Sequence, residues 1–136
     1  MITKPDFDQV LQAHINSIEN RDINQFKLHI TKNHTMYTIV QNGHAFTNTQ
    51  ELITMHEEWF KDINWIWKGS VVHKVVGEDM AFVLIKYDYQ AKKEDRPFST
   101  WLTYVFKLED NEWRIIHDHN TTTDFIAFAK SAGIET

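Results

Sequence analysis

The sequence predicts an α+β domain, with N-terminal helices packed on a curved antiparallel sheet and a short C-terminal helix, and three observations carry that expectation. Helical periodicity recurs in three separate stretches between positions 7 and 60 and returns only in a short stretch near the C-terminus. A period of two governs the chain from Asn64 to His119, and the turns that interrupt it are short, as in a meander. At 136 residues the chain reads as one domain, 1–136, long enough to bury roughly 68% of the surface its unfolded form would expose.

Thr3-Lys-Pro-Asp6 reads as a capping box with proline in the first helical turn, where its missing N–H is no loss. Phe7, Val10, Leu11, His14 and Ile18 then recur at helical spacing, giving one apolar stripe with a histidine inside it. That helix should end near Asn20-Arg21-Asp22, and a shorter amphipathic piece runs from Ile23 to Ile30. Met36 to Gln41 is rich in β-formers. Asn42-Gly43 after it signals a type I′ hairpin, since both residues tolerate positive φ, and His44 to Phe46 is the short return strand. Thr47 to Gln50 should cap a second long helix, whose stripe is Leu52, Met55, His56, Trp59 and Phe60. Strands follow at about Trp65–Val76, Ala81–Gln90, Phe98–Leu108 and Glu112–His119, with turns at Gly77-Glu-Asp, Lys93 to Pro97 and Glu109-Asp-Asn. Asp124 to Ala132 forms the last helix, with Asp at its positive end and Gly133 as its stop.

Composition narrows the function classes. A formal charge of -5, with no basic run longer than Lys92-Lys93, argues against a nucleic-acid partner. No window approaches the ~20 apolar residues of a membrane span, and Met1 to Asp8 lacks the apolar core of a secretory leader, so the expected location is the cytoplasm. With no cysteine, disulfides, thiolate metal sites and thiol nucleophiles are excluded. The four scattered glycines make no phosphate loop, and Ser99-Thr100 and Thr121-Thr122-Thr123 have no nucleophile context, so no cofactor is expected. Aromatic residues, at 13%, can either fill a small core or line a pocket for a flat ligand. The sheet should be apolar on both faces, with Val83, Ile85 and Tyr87 against Phe82 and Leu84, and Trp101 against Leu102 and Tyr104. Such a sheet needs a second cover, which predicts a homodimer through its outer face.

Several side chains could carry chemistry. His14 and His56 sit on helix stripes that face the sheet, where an imidazole can act as acid or base near neutral pH or be a satisfied core residue. His117 and His119 share one face of a strand, a spacing that metal sites use, but no third ligand is evident and hydrogen bonding is the simpler reading. Asp118 and Asn120 occupy the other face, in an order that a single bulge would reverse. Asp88 could join a histidine in a dyad or be a solvated charge beside Lys86. Trp59, Tyr37, Tyr87 and Tyr104 could wall a pocket, the phenols orienting a carbonyl, or simply fill the core.

The run Trp113-Arg-Ile-Ile-His117-Asp-His119-Asn-Thr121 resembles the closing strand of SnoaL-like, nuclear transport factor 2-like domains, and within them the association domain of calcium/calmodulin-dependent protein kinase II. The order of elements from Pro5 to Thr121 fits too, including Asn20-Arg-Asp-Ile, the turn at Gly43 and the aromatic pair Trp59-Phe60. The resemblance implies a cone-shaped fold enclosing a pocket, with His56 where the kinase domain has a pocket histidine and Phe26 where it has a tyrosine. Three pocket arginines of that family match Tyr87, Tyr104 and Asn120, so the ligand should be small and neutral or aromatic rather than an organic acid. The base of the related ketosteroid isomerases would fall at Ile39 to Gly43, which holds no carboxylate, so that chemistry is not expected. Since the superfamily hosts enzymes and noncatalytic modules alike, the fold does not choose between them. The leading expectation is a small-molecule-binding protein whose pocket can support general acid/base chemistry. It would centre on His56, helped by His14 and Asp88 and lined by Phe26, Tyr37, Trp59, Tyr87, Tyr104, Asp118 and Asn120. The alternative is a noncatalytic ligand-responsive or self-assembling module.

Overall fold

A computed structural model describes residues 5–133. In chain order it contains α1 (Phe7–Glu19), α2 (Ile23–Leu28), β1 (Tyr37–Ile39), β2 (Ala45–Phe46), α3 (Thr49–Lys61), β3 (Ile66–Val76), β4 (Met80–Gln90), β5 (Phe98–Glu109), β6 (Glu112–Thr122) and α4 (Phe125–Ser131). The strands form one sheet in the order β2-β1-β6-β5-β4-β3, antiparallel throughout except where β1 joins β6 in parallel. Helices α1 and α3 lie over one face of this curved, unclosed sheet, and α4 closes one end of the space beneath them.

Local chemistry sets the element boundaries. The first helix begins at Phe7, with Asp6 as its cap accepting the Asp8 N–H at 2.9 Å, so Pro5 precedes the helix instead of opening its first turn. Thr3, the expected cap, lies outside the described residues. At the other end Arg21 takes a left-handed φ of 55°, which turns the chain, and Asp22 caps α2 by accepting from the Gln25 N–H. The Arg21 guanidinium lies over the Trp65 ring at 4.0 Å and donates to the carbonyls of Asp62, Ile63 and Trp65, fastening this corner to the start of β3. Asn48 caps α3, its side chain accepting from the N–H groups of Gln50 and Glu51. Asp124 caps α4, and Gly133 after it has φ +74°.

The type I′ geometry that the sequence suggests at Asn42-Gly43 is found at another turn. At Asn42-Gly43 only Gly43 has positive φ, +86°, while the Asn42 side chain accepts from the His44 N–H. The expected type I′ geometry is therefore absent there. It appears between β5 and β6, where Asp110 and Asn111 have φ of 51° and 62° and Glu109 pairs directly with Glu112.

Two register shifts bend the sheet. One extra residue, Val72, stands between the paired positions Val71 and His73, and a second, Ile116, between Ile115 and His117. The second has the larger effect. Trp113 and Ile115 are buried in the core, and strict alternation would send His117 and His119 the same way. The extra residue resets the phase, so Asp118 pairs with Tyr104 on the inner face and the two histidines go outside. The core between helices and sheet is rich in rings, with Phe7 packed edge-on against Phe106 and Trp113 at 5.0 and 5.2 Å. On the outer face Val75, Phe82 and Trp101 stay partly exposed. No helix among the described residues is long and apolar enough to cross a membrane.

Candidate functional site

Between α3, the inner face of the sheet and α4 lies a cavity of about 390 Å³. Its walls are mostly rings. Trp59 comes from α3, Trp67 from β3, Tyr87 and Tyr89 from β4, and Phe128 from α4. Trp67 folds back over Gly69 and stacks on Tyr87 at 5.0 Å; a Cβ on Gly69 would sit 2.6 Å from the Trp67 ring, so the glycine makes room for that pose.

One end of the cavity is polar, and its hydrogen bonds form a chain. The Asn120 amide N–H donates to Asp118 Oδ1 at 2.9 Å and to the Ile39 carbonyl at 3.2 Å. With its nitrogen facing two acceptors, its oxygen must accept, and it takes the Tyr87 hydroxyl at 2.9 Å. Gln41 Nε2 in turn donates to the Tyr87 hydroxyl at 2.7 Å. Thr38, next to Asp118 across the β1–β6 ladder, is buried against the cavity with a hydroxyl that has no hydrogen-bond partner among the described residues.

Burial sets the ionisation of these groups. Asp118, the only carboxyl in the lining among the described residues, is pushed up to about 7 by desolvation, against the opposing pull of the Asn120 hydrogen bond. Burial also raises the Tyr87 and Tyr104 phenols, and the Asp118 charge adds to both shifts. His56 lines the cavity from α3 with its Nδ1 against the Leu52 carbonyl at 2.9 Å, which puts the proton on Nδ1 and leaves Nε2 as an acceptor. Desolvation lowers this imidazole to about 4, only partly offset by that carbonyl, so near neutral pH Asp118 and not His56 is the group that exchanges protons.

Of the residues expected at the site, His56, Trp59, Tyr87, Tyr104, Asp118 and Asn120 line the cavity together. Four others do not. His14 is fully buried behind the wall, its Nδ1 3.2 Å from His29 Nδ1 and its ring against Phe26 and Tyr104, so it has no route to a ligand. Phe26 also lies behind the lining, stacked under His56 at 4.3 Å. Asp88 points to the outer face between the inward-facing Tyr87 and Tyr89 and accepts from the Ser99 hydroxyl at 2.8 Å, which removes it from any dyad with His56. Tyr37 is half exposed, because in β1 the inward position belongs to Thr38. Reading the sequence missed Thr38, Gln41, Trp67 and Tyr89. Tyr89 was visible as the next inward position after Tyr87, and Trp67 as the bulky residue two places before a strand glycine. His117 and His119 lie outside with ring centroids 6.3 Å apart. No group of three or more candidate ligands for a metal exists among the described residues.

The sequence profile of the SnoaL-like domain matches residues 8–123, most of the chain and every element that builds the cavity except α4. The chain belongs to the SnoaL-like domain family. Solved structures place this SnoaL-like protein in the nuclear transport factor 2-like, cystatin-like fold. It is similar to a protein from Thiobacillus denitrificans assigned as a calcium/calmodulin-dependent protein kinase type II association domain. That match has TM-score 0.75 and 13% identity, covering 91% of this chain and 100% of the other. A protein from Streptomyces avermitilis, assigned as a dehydratase of the NTF2-like family, matches with TM-score 0.73 and 12% identity, over 86% and 93% of the two chains. An M. tuberculosis LEH-like epoxide hydrolase matches with TM-score 0.64 and 10% identity, over 90% and 86%. No curated protein sequence matches the chain. At these identities the likeness is one of fold.

Proposed function

We propose that this SnoaL-like protein binds a small neutral or aromatic organic molecule in the ring-lined cavity, and that the cavity supports general acid/base chemistry through Asp118. The observation that carries the reading is a buried carboxyl, held by Asn120 and titrating near neutrality, at the polar end of an otherwise aromatic hollow. The absence of Lys and Arg from the described lining speaks against an anionic ligand. Neighbours of the same fold assigned as a dehydratase and an epoxide hydrolase support a place among the enzymes of the fold. His56, kept neutral, would act as a hydrogen-bond acceptor and not as the titrating base.

A fluorescence titration tests the reading, because Trp59 and Trp67 report on anything that enters. A panel of neutral aromatic compounds should give at least one saturable change in the wild type. Leu102→Trp, which fills the cavity from β5, should abolish it. A panel without any saturable response would remove the proposal.

The outer sheet face supports a second element of the reading, a homodimer. Val75, Phe82 and Trp101 leave apolar surface open on the side away from the described helices. This dimer is compatible with catalysis and with a noncatalytic assembly role, and a purified protein that self-associates but binds nothing would favour the latter.

A further inference from the structure

The polar atoms of the cavity have a bias that goes beyond neutral recognition. Thr38, Asp118 and Tyr104 are cross-strand neighbours on β1, β6 and β5, so their side chains leave the inner face from adjacent positions, with strands about 4.8 Å apart. The Thr38 hydroxyl has no hydrogen-bond partner among the described residues, and Asp118 is held there through Oδ1 by the Asn120 amide. From α3, His56 adds a ring nitrogen that can only accept. The lining amides of Asn120 and Gln41 are already engaged within their own chain. What remains free is the Thr38 hydroxyl, which can accept as well as donate, the accepting nitrogen of His56 and a single carboxylate, with no lysine or arginine in the described lining to neutralise it. The other titratable groups in the lining are His56, Tyr87, Tyr89 and Tyr104, all neutral near pH 7.

A carboxylate buried without a counter-ion is costly, and the cost is offset when a cation with good hydrogen bonds is brought to it. Aromatic faces attract the same cation, and Tyr87, Tyr104, Trp67 and Trp59 surround the cavity. We propose that the ligand of this cavity is an organic amine, its ammonium group paired with Asp118 and bonded to the neighbouring Thr38 hydroxyl, its flat or aromatic body held between the rings. The inference rests on the reading of the cavity as a small-molecule site and specifies what enters it; it needs no turnover.

Three probes of one shape separate the possibilities by calorimetry: phenethylamine, phenethyl alcohol and hydrocinnamate. At about pH 8, with Asp118 ionised, the amine should bind about tenfold more tightly than the alcohol and the carboxylate not at all. At about pH 6, where Asp118 holds a proton while the amine stays charged, that advantage should vanish. In Asp118→Asn the amine should fall to the affinity of the alcohol at both pH values. If the alcohol binds the wild type as well as the amine does at pH 8, the amine inference is overturned while the cavity reading survives, with Asp118 donating to a neutral oxygen instead. If none of the three binds, and the neutral panel also leaves Trp59 and Trp67 unchanged, both proposals fall together.

Discussion

At the scale of single residues, the ionisable groups of the interior pull stability in opposite directions as pH changes. Burial lowers His14, His29 and His56, the last from 6.5 to about 4. Each therefore contributes stability that is complete above 6.5 and declines as pH falls, because the unfolded chain takes up protons that the native one refuses. For His56 alone the loss between pH 6.5 and 4 is about 3 kcal/mol. Asp118, raised from 3.8 to about 7, has the reverse sign: its contribution is whole below 3.8 and disappears as pH rises through 7, where the buried charge costs about 4 kcal/mol. Three histidines against one carboxyl should make urea midpoints fall between pH 6.5 and 4.5, while Asp118→Asn should raise the midpoint at pH 8 and deepen the acid-side fall. An Asp118→Asn variant less stable than wild type at pH 8 would show that the carboxyl is not the strained group described. The helix stripe in the sequence placed His14 correctly as buried, but periodicity gives a direction and not a depth; it could not tell a residue behind the wall from one in it.

At the scale of elements, the helices and long strands were legible because each keeps a single period along its length, and their ends follow capping and turn chemistry within a few residues. Strand β4 was legible to the level of faces, since Val83, Ile85 and Tyr87 alternate with Phe82 and Leu84 without interruption. The short β1 was not. With only three residues, Tyr37 and Thr38 compete for the inward place, and the hydroxyl won it by pairing beside Asp118. Strand β3 contains a packing device, the Trp67 ring lying over Gly69. Gly69→Val should force that ring off Tyr87 and into the cavity, costing roughly 1–3 kcal/mol as overpacking does. The near-ultraviolet circular dichroism of the Trp67–Tyr87 stack should weaken while the far-ultraviolet spectrum stays. An unchanged stack would mean that the neighbouring backbone yields instead.

At the scale of the whole molecule, one sheet serves two surfaces. Its inner side is divided between core and cavity, and its outer side carries an apolar field around Phe82 and Trp101, with Lys86 lying over the Trp101 ring at 5.1 Å. Light scattering should therefore give a mass near twice 16.2 kDa, and Trp101→Glu should halve it without disturbing the inner face. A wild-type monomer at micromolar concentration would remove the outer-face dimer. The two-sided apolar pattern of the strands was visible in the sequence, whereas the shape of the hollow was not, because it depends on how far α3 and α4 stand off the sheet.

The supernumerary residue at Ile116 has one more implication. Upstream of it the strand's parity is set by the tryptophan and isoleucine that anchor it to the core; downstream the same chain runs half a repeat out of step. Two complete sets of side chains, one acidic and amide-bearing, the other a pair of imidazoles, are thus encoded in the same stretch, and a single peptide unit selects which of them meets a guest. Loss of that unit in a descendant sequence would exchange the carboxyl and amide of the chamber for two imidazoles without altering any of the residues that define it.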